Sequence, residues 1–269
     1  MPFKFLLFLL TTVLVFGACR KDEITTTTTT VLPEPTVSVN AAIYGLVTDA
    51  AANPLSGAEV RWGNRTTQTD ENGVFRIANA VISERNAQLH VEKAGYWTAL
   101  PSYSPGRADA LEVTVQLRER PLNQSFSATA ATQLDVDGAA TVDLPAAYTT
   151  ADGQTYTGEV NAYATYLDPT DPDLWEVMPG NLRAIDAANE TTLLRTFGMV
   201  NVELETPAGE PLQIAEPASL RIDVPSELQG DAPNSIPLWH FDEATGLWLE
   251  EGEAMLQNGV YVGTVAHFT

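Results

Sequence analysis

The sequence predicts an all-β protein of two β-sandwich modules in tandem, behind a signal peptide and a flexible tether. Three observations carry this. Short runs of alternating apolar and polar residues recur between turn-forming clusters from residue 41 onward. No window of the first module shows the 3.6-residue period of a helix. Composition breaks sharply twice, at a Thr/Pro-rich tract before residue 41 and at a charged, Pro-containing joint near residue 120.

The chain has 269 residues with a formal net charge of −21, from 14 Lys+Arg against 35 Asp+Glu. That acidic surface repels phosphate backbones, so nucleic acid is excluded as a partner. Residues 5–16 are apolar apart from Thr11 and Thr12, and Lys4 precedes them. The run is too short to span a bilayer core, which takes roughly 20 helical residues, and reads as a signal h-region. Gly17, Ala18 and Cys19 follow. Cys19 is the only cysteine, so no internal disulfide forms and no Cys/His zinc spacing is present.

The tetrapeptide Phe16-Gly17-Ala18-Cys19 resembles the lipobox of bacterial lipoproteins, with Phe16 in place of the usual Leu. The resemblance implies cleavage after Ala18, lipidation of Cys19 and a membrane partner engaged through three acyl chains. Each chain contributes about 0.8 kcal/mol per buried CH₂. Lys21, Asp22 and Glu23 resemble the surface-export signal of Bacteroidetes lipoproteins, which implies an outer-membrane anchor facing the cell exterior. Six threonines (residues 25–30) and Pro33-Glu34-Pro35 form a tract without core-forming capacity, read as a tether over residues 19–40.

From residue 41 the strands begin. Ile43, Gly45 and Val47 alternate; Ala58 to Trp62 is a second strand; Gly63-Asn64-Arg65 turns the chain. Asp70-Glu71-Asn72-Gly73 is a strong turn signal ahead of a strand from Val74 to Ile77. Leu89 to Glu92 follows, then Leu111, Val113, Val115 and Leu117 in strict alternation with polar residues. The set Ile43, Gly45, Val47, Asp49, Pro54-Leu55, Gly57-Ala58, Val60, Thr69-Asp70, Gly73, Phe75, Ile77 and Gly95-Tyr96 resembles the carboxypeptidase regulatory-like domain. That is a transthyretin-like β-sandwich, here over residues 41–118. Asn53 stands where that family has Gly, and is expected to supply the left-handed turn residue. The marked positions are turn and core positions, and the resemblance implies no activity of the domain's own.

Residues 119–125 read as a joint, and residues 126–269 as the second module. Strands are expected at Ala140 to Leu144, Gly158 to Leu167, Met199 to Leu204 and Ser219 to Val224, and a hairpin from Pro237 to Glu250. The Asp152-Gly153-Gln154-Thr155-Tyr156-Thr157-Gly158 stretch and the Trp239-to-Trp248 hairpin resemble the cartilage intermediate layer protein group. Residues 265–269 look like part of a strand.

Candidate chemistry is sparse. Asp168, Asp171 and Asp173 put three carboxylates in six residues, a possible calcium loop without the EF-hand spacing. His240-Phe241-Asp242-Glu243 spells a His-x-x-Glu zinc spacing, but alternation on a strand sends the two side chains to opposite faces, and no zinc is expected there. His90 reads as an exposed strand position and His267 as a residue near the end. No Gly-x-Ser-x-Gly elbow, phosphate loop or cysteine nucleophile is present, and no catalytic residue and no cofactor are assigned. The five tryptophans read as core and hairpin packing, with sugar stacking the other option. The expected function is a non-catalytic envelope lipoprotein for binding, adhesion or spacing, with an extracellular protein or glycan as partner. The alternative is a carbohydrate-binding accessory protein of a glycan-uptake system.

Overall fold

The computed structural model describes residues 37–106 and 108–268. The lipobox, Cys19 and the export signal Lys21, Asp22 and Glu23 lie outside them. Among the described residues are strands throughout, one four-residue α-helix (Leu174–Val177) and one three-residue 3-10 helix (Gln229–Asp231). No helix of the described residues is long and apolar enough to cross a membrane.

The first module is a sandwich of two sheets. One sheet orders the strands Val74–Ser83, Ser38–Thr48 and Ala110–Gln116; the other orders Arg65–Gln68, Glu59–Trp62, Ala87–Glu92 and Ser102–Tyr103. The first strand begins at Ser38, where Ser38 pairs Ser83, so three residues assigned to the tether are sheet. Between the sheets lie Ile43, Val47, Val60, Trp62, Phe75, Leu89, Val91 and Val115. Alternation places them there: every second residue of each strand faces the partner sheet.

The marked turn positions act as read, with two changes. Asp49 accepts hydrogen bonds from the backbone N–H groups of Ala51 (2.9 Å) and Asn53 (2.8 Å) and from the Asn53 side chain (3.0 Å). The left-handed residue of this turn is Ala52, not Asn53. Asn53 is held by Asp49 instead, which fixes the loop from both sides. In the second turn only Gly73 has positive φ (71°), and a Cβ there would stand 2.6 Å from the Val47 carbonyl oxygen. The buried Thr69 hydroxyl donates to the Leu55 carbonyl at 2.6 Å and accepts from the Ala58 N–H at 2.9 Å.

The second module is also built from β-sheets on one core. Its large sheet runs through Thr191–Leu193, Arg183–Ile185, Leu247–Gln257, Val260–Val265, Ala218–Asp223, Ala140–Leu144 and Thr132–Val136, with Ser235–Asp242 paired to Leu247–Gln257. Two three-stranded sheets face it: Met199–Glu205, Glu159–Leu167 and Gln124–Ser127, and Thr155–Tyr156, Tyr148–Thr150 and Leu212–Ile214. Leu134, Val142, Tyr148, Val160, Val202, Leu204 and Tyr261 lie in the core between them. Because Gln124 pairs Ala162, the last two residues assigned to the joint already belong to this module's sheet.

The rest of the joint is held by both modules. The Arg120 N–H donates to the Gly95 carbonyl (2.9 Å), and the Asn123 N–H donates to the Ala162 carbonyl (3.0 Å). The modules also share a small apolar cluster in which Leu100 of the first packs with Ala184, Phe241 and Trp248 of the second. Asn86 caps this contact, its side-chain amide donating to the carbonyls of Thr245 (3.0 Å) and Gly246 (3.3 Å) at the tip of the long hairpin.

Candidate functional site

The long hairpin, Ser235–Asp242 with Leu247–Gln257, positions the site. Its antiparallel register breaks once: Leu238 pairs Gly252, and Trp239 pairs Glu250. Glu251 is the extra residue of that β-bulge. Bulges of this kind re-aim a side chain and recur beside functional sites. A second hairpin follows, closed by Asn258-Gly259, both with positive φ, the strongest two-residue hairpin signal. It pairs Ala254 with Gly263. Extending that register by four residues brings His267 level with Glu250 and the bulged Glu251. His267 itself lies two residues past the end of the strand Val260–Val265, and residues 266–268 are not strand.

Three side chains from three successive chain segments therefore meet. His240 Nδ1 lies 3.7 Å from Glu251 Oε2, and His267 Nε2 lies 3.3 Å from the same oxygen. The two imidazoles stand nearly perpendicular, 87° apart, with ring centroids at 4.5 Å. Glu251 is only 11% exposed, His240 23% and His267 40%. His240 Nδ1 and Glu251 Oε2 are buried with no hydrogen-bond partner in the protein. An unsatisfied buried carboxylate oxygen is costly, and among the described residues Glu251 Oε2 is the one carboxylate oxygen left in that state. Burial first, then the neighbouring His267, hold the His240 imidazole below its ordinary pKa, against the opposing pull of Glu251 and Asp242.

The group sits on the wall of a cavity of about 610 Å³, a size typical of small-molecule sites. Its walls come from the strand Met199–Glu205, from the long hairpin, and from the first module through Trp97, Leu100 and Arg118. The Trp248 indole N–H, also on this wall, has no acceptor in the protein. The cavity is thus mostly apolar with a few unsatisfied polar atoms.

The sequence expectation of no zinc at His240 rests on Glu243 pointing to the opposite face of the strand and on the pair lying on a hairpin rather than in a cleft. Glu243 lies in the tight turn after Asp242, and His240 does face a cavity. The ligand-type partners are Glu251 and His267, and the Asn258-Gly259 turn is the signal that places His267 beside Glu251. His90, read as exposed, is largely buried, with a side-chain exposure of 15%.

The acidic loop behaves differently. Asp168 accepts from the backbone N–H and hydroxyl of Thr170 (2.8 and 2.7 Å), Asp171 accepts from the Asp173 N–H (2.9 Å), and Asp171 lies 3.5 Å from Arg118. The carboxylates of Asp168, Asp171 and Asp173 are not among the described side chains that converge within 4.8 Å as a metal-type group; His240, Glu251 and His267 are. Of the tryptophans, Trp62, Trp97 and Trp248 are core, Trp239 is half-buried, and Trp175 is exposed.

Residues 42–118 match the carboxypeptidase regulatory-like domain. Over a wider span the chain is similar to the cartilage intermediate layer proteins. It is 35% identical to cartilage intermediate layer protein 2 of Mus musculus over 123 residues, covering 45% of this chain and 10% of that protein. It is 26% identical to cartilage intermediate layer protein 1 of Homo sapiens over 216 residues, covering 76% of this chain and 18% of that protein. The chain thus spans less than a fifth of the length of these relatives. Among solved structures, the shaft pilin SpaA of Lactobacillus rhamnosus superposes at a TM-score of 0.23 and 11% identity, over 80% of this chain and 99% of the pilin.

Proposed function

We propose that this chain is a lipid-anchored protein of a bacterial outer membrane that binds an extracellular partner and performs no chemistry of its own. Cys19 is the anchor, Lys21-Asp22-Glu23 the export signal, and the cavity at the meeting of the two modules the binding face. One observation supports this reading above the others. The positions that define the regulatory-like domain are taken up by turns and core, whereas one largely apolar cavity is walled by His240, Trp248 and Glu251, each with a buried polar atom that has no partner in the protein. The first module then does more than space the second from the membrane, because Trp97, Leu100 and Arg118 wall that cavity.

Two experiments test it. Cys19→Ala is expected to abolish acyl labelling and membrane fractionation; a variant that stays in the membrane fraction refutes the anchor. For the binding face, a glycan array and a screen of extracellular matrix proteins are run with the full chain and with Leu238→Arg, which places a charge in the cavity wall. Binding lost in Leu238→Arg supports the assignment, and binding unchanged in it refutes the cavity.

A further inference from the structure

We propose that His240, Glu251 and His267 form a mononuclear site for a divalent transition metal of the zinc type, whose remaining coordination position opens into the cavity. Neither the regulatory-like domain nor the calcium loop suggested by the sequence includes these residues. Three features of the arrangement support the site.

The first is the ligand set. Two imidazoles and one carboxylate are borderline donors suited to zinc and its neighbours, and three protein ligands with one open position is the ligand number of accessible zinc sites. The second is spacing. Two atoms bound to one zinc at about 2.1 Å in tetrahedral geometry stand about 3.4 Å apart. The two donor–donor separations at Glu251 Oε2 are 3.3 and 3.7 Å, on either side of that value, and all three ligand atoms lie within 4.8 Å of one another. The third is that the ion-pair contacts at Glu251 leave two of these atoms without a hydrogen bond. His240 Nδ1 and Glu251 Oε2 are buried and face each other, yet neither finds a hydrogen-bond partner in the protein. A cation between them supplies the missing partner to both.

Local structure holds the donors ready. Glu251 is fixed at the bulge and His240 lies mid-strand beside it, so two ligands come from one hairpin. His267 closes the site from the segment after Val265. Metal binding would therefore tie that segment to the hairpin. With the cavity alongside, the open position is available to water or to an oxygen or nitrogen donor of whatever enters.

The test uses untagged full chain, stripped with chelator and desalted, then titrated with Zn(II) alone and with Co(II) as a spectroscopic stand-in. The expected result is one equivalent of zinc retained per chain by elemental analysis, together with the intense visible absorption of four-coordinate Co(II). His267→Ala is the first variant, since His267 lies outside the strands and its loss leaves the sheets intact. Glu251→Gln is the second, with circular dichroism to verify folding of both. Each is expected to weaken zinc binding by more than the roughly 10–100-fold that loss of an outer partner costs. Failure of the wild-type chain to retain zinc overturns the proposal. So does unchanged zinc affinity in a folded His240→Ala/His267→Ala double variant, which would move the metal elsewhere.

Discussion

Arg120 and Glu205 form a near-buried ion pair at the seam of the two modules, guanidinium to carboxylate at 2.7 Å, with side-chain exposures of 17% and 19%. The same guanidinium also pairs with Glu203 and lies over the Tyr163 ring at 4.1 Å from its centroid. Glu203 and Tyr163 are direct cross-strand neighbours, and Glu205 sits opposite Asn161 on the same two strands. The backbone of Arg120, meanwhile, bonds to Gly95 in the first module. One residue of the joint is thereby fixed to both modules. Burial raises the Glu203 carboxyl above its ordinary pKa despite the opposing pull of Arg120.

Removing this cation leaves two half-buried carboxylates facing each other. Arg120→Ala is expected to lower stability by about 2–3 kcal/mol, somewhat below the 3–5 kcal/mol for breaking a fully buried pair, because water reaches part of the group. Arg120→Lys should recover only part of the loss, since an ammonium cannot reach both carboxylates and stack on Tyr163 at once. Urea unfolding of the full chain measures both. Equal stability of Arg120→Ala and wild type would show that the seam depends on the apolar cluster around Leu100 and Phe241 instead.

Much of the fold was legible because alternation and turn chemistry are local. The strands around Ile43, Val60, Val113, Val142 and Val202 are visible in the sequence, and so are the turns at Gly73 and Gly246. Short strands such as Arg65–Gln68 and Thr191–Leu193 escaped, since nearly all their residues are polar and their place depends on a neighbouring strand. The His240 site escaped for a different reason. Its members lie 11 and 16 residues apart along the chain, and one of them is aimed by a bulge, which leaves no periodic trace. The packing of one module on the other was invisible too, because Leu100, Ala184 and Phe241 meet only in three dimensions.

Gly45 sits where the strands Ser38–Thr48 and Ala110–Gln116 run parallel, paired with Val113. A Cβ there would stand 2.2 Å from the Val113 carbonyl oxygen and 2.9 Å from its side chain. Both obstacles belong to a strand held in the sheet, so they cannot move away cheaply. Gly45→Ala is expected to cost about 3 kcal/mol, at the top of the usual range for overpacking. Gly230→Ala is the control: no atom lies within 4 Å of its Cβ, and a change within about 0.5 kcal/mol is expected. Thermal melts of the two variants side by side give the comparison.

His90 is expected to make the first module sensitive to acid. Its imidazole lies in the strand Ala87–Glu92 opposite Arg61, with Glu92, Glu59 and Glu243 as the surrounding carboxylates. Burial, then the Arg61 charge, lower its pKa below the ordinary 6.5, and the three carboxylates only partly offset this. The unfolded chain therefore binds a proton at a pH where the folded chain does not. Stability from this residue is fully present above about pH 6.5 and is lost as pH falls through the depressed folded value. His90→Gln keeps a polar side chain of similar size and cannot titrate. The expected result is a smaller fall in melting temperature between pH 7 and pH 5 (about the range over which an ordinary histidine titrates) in His90→Gln than in wild type. Both proteins are measured without added metal, so that His240 and His267 contribute equally to each. Parallel curves for the two would place the acid sensitivity on other groups.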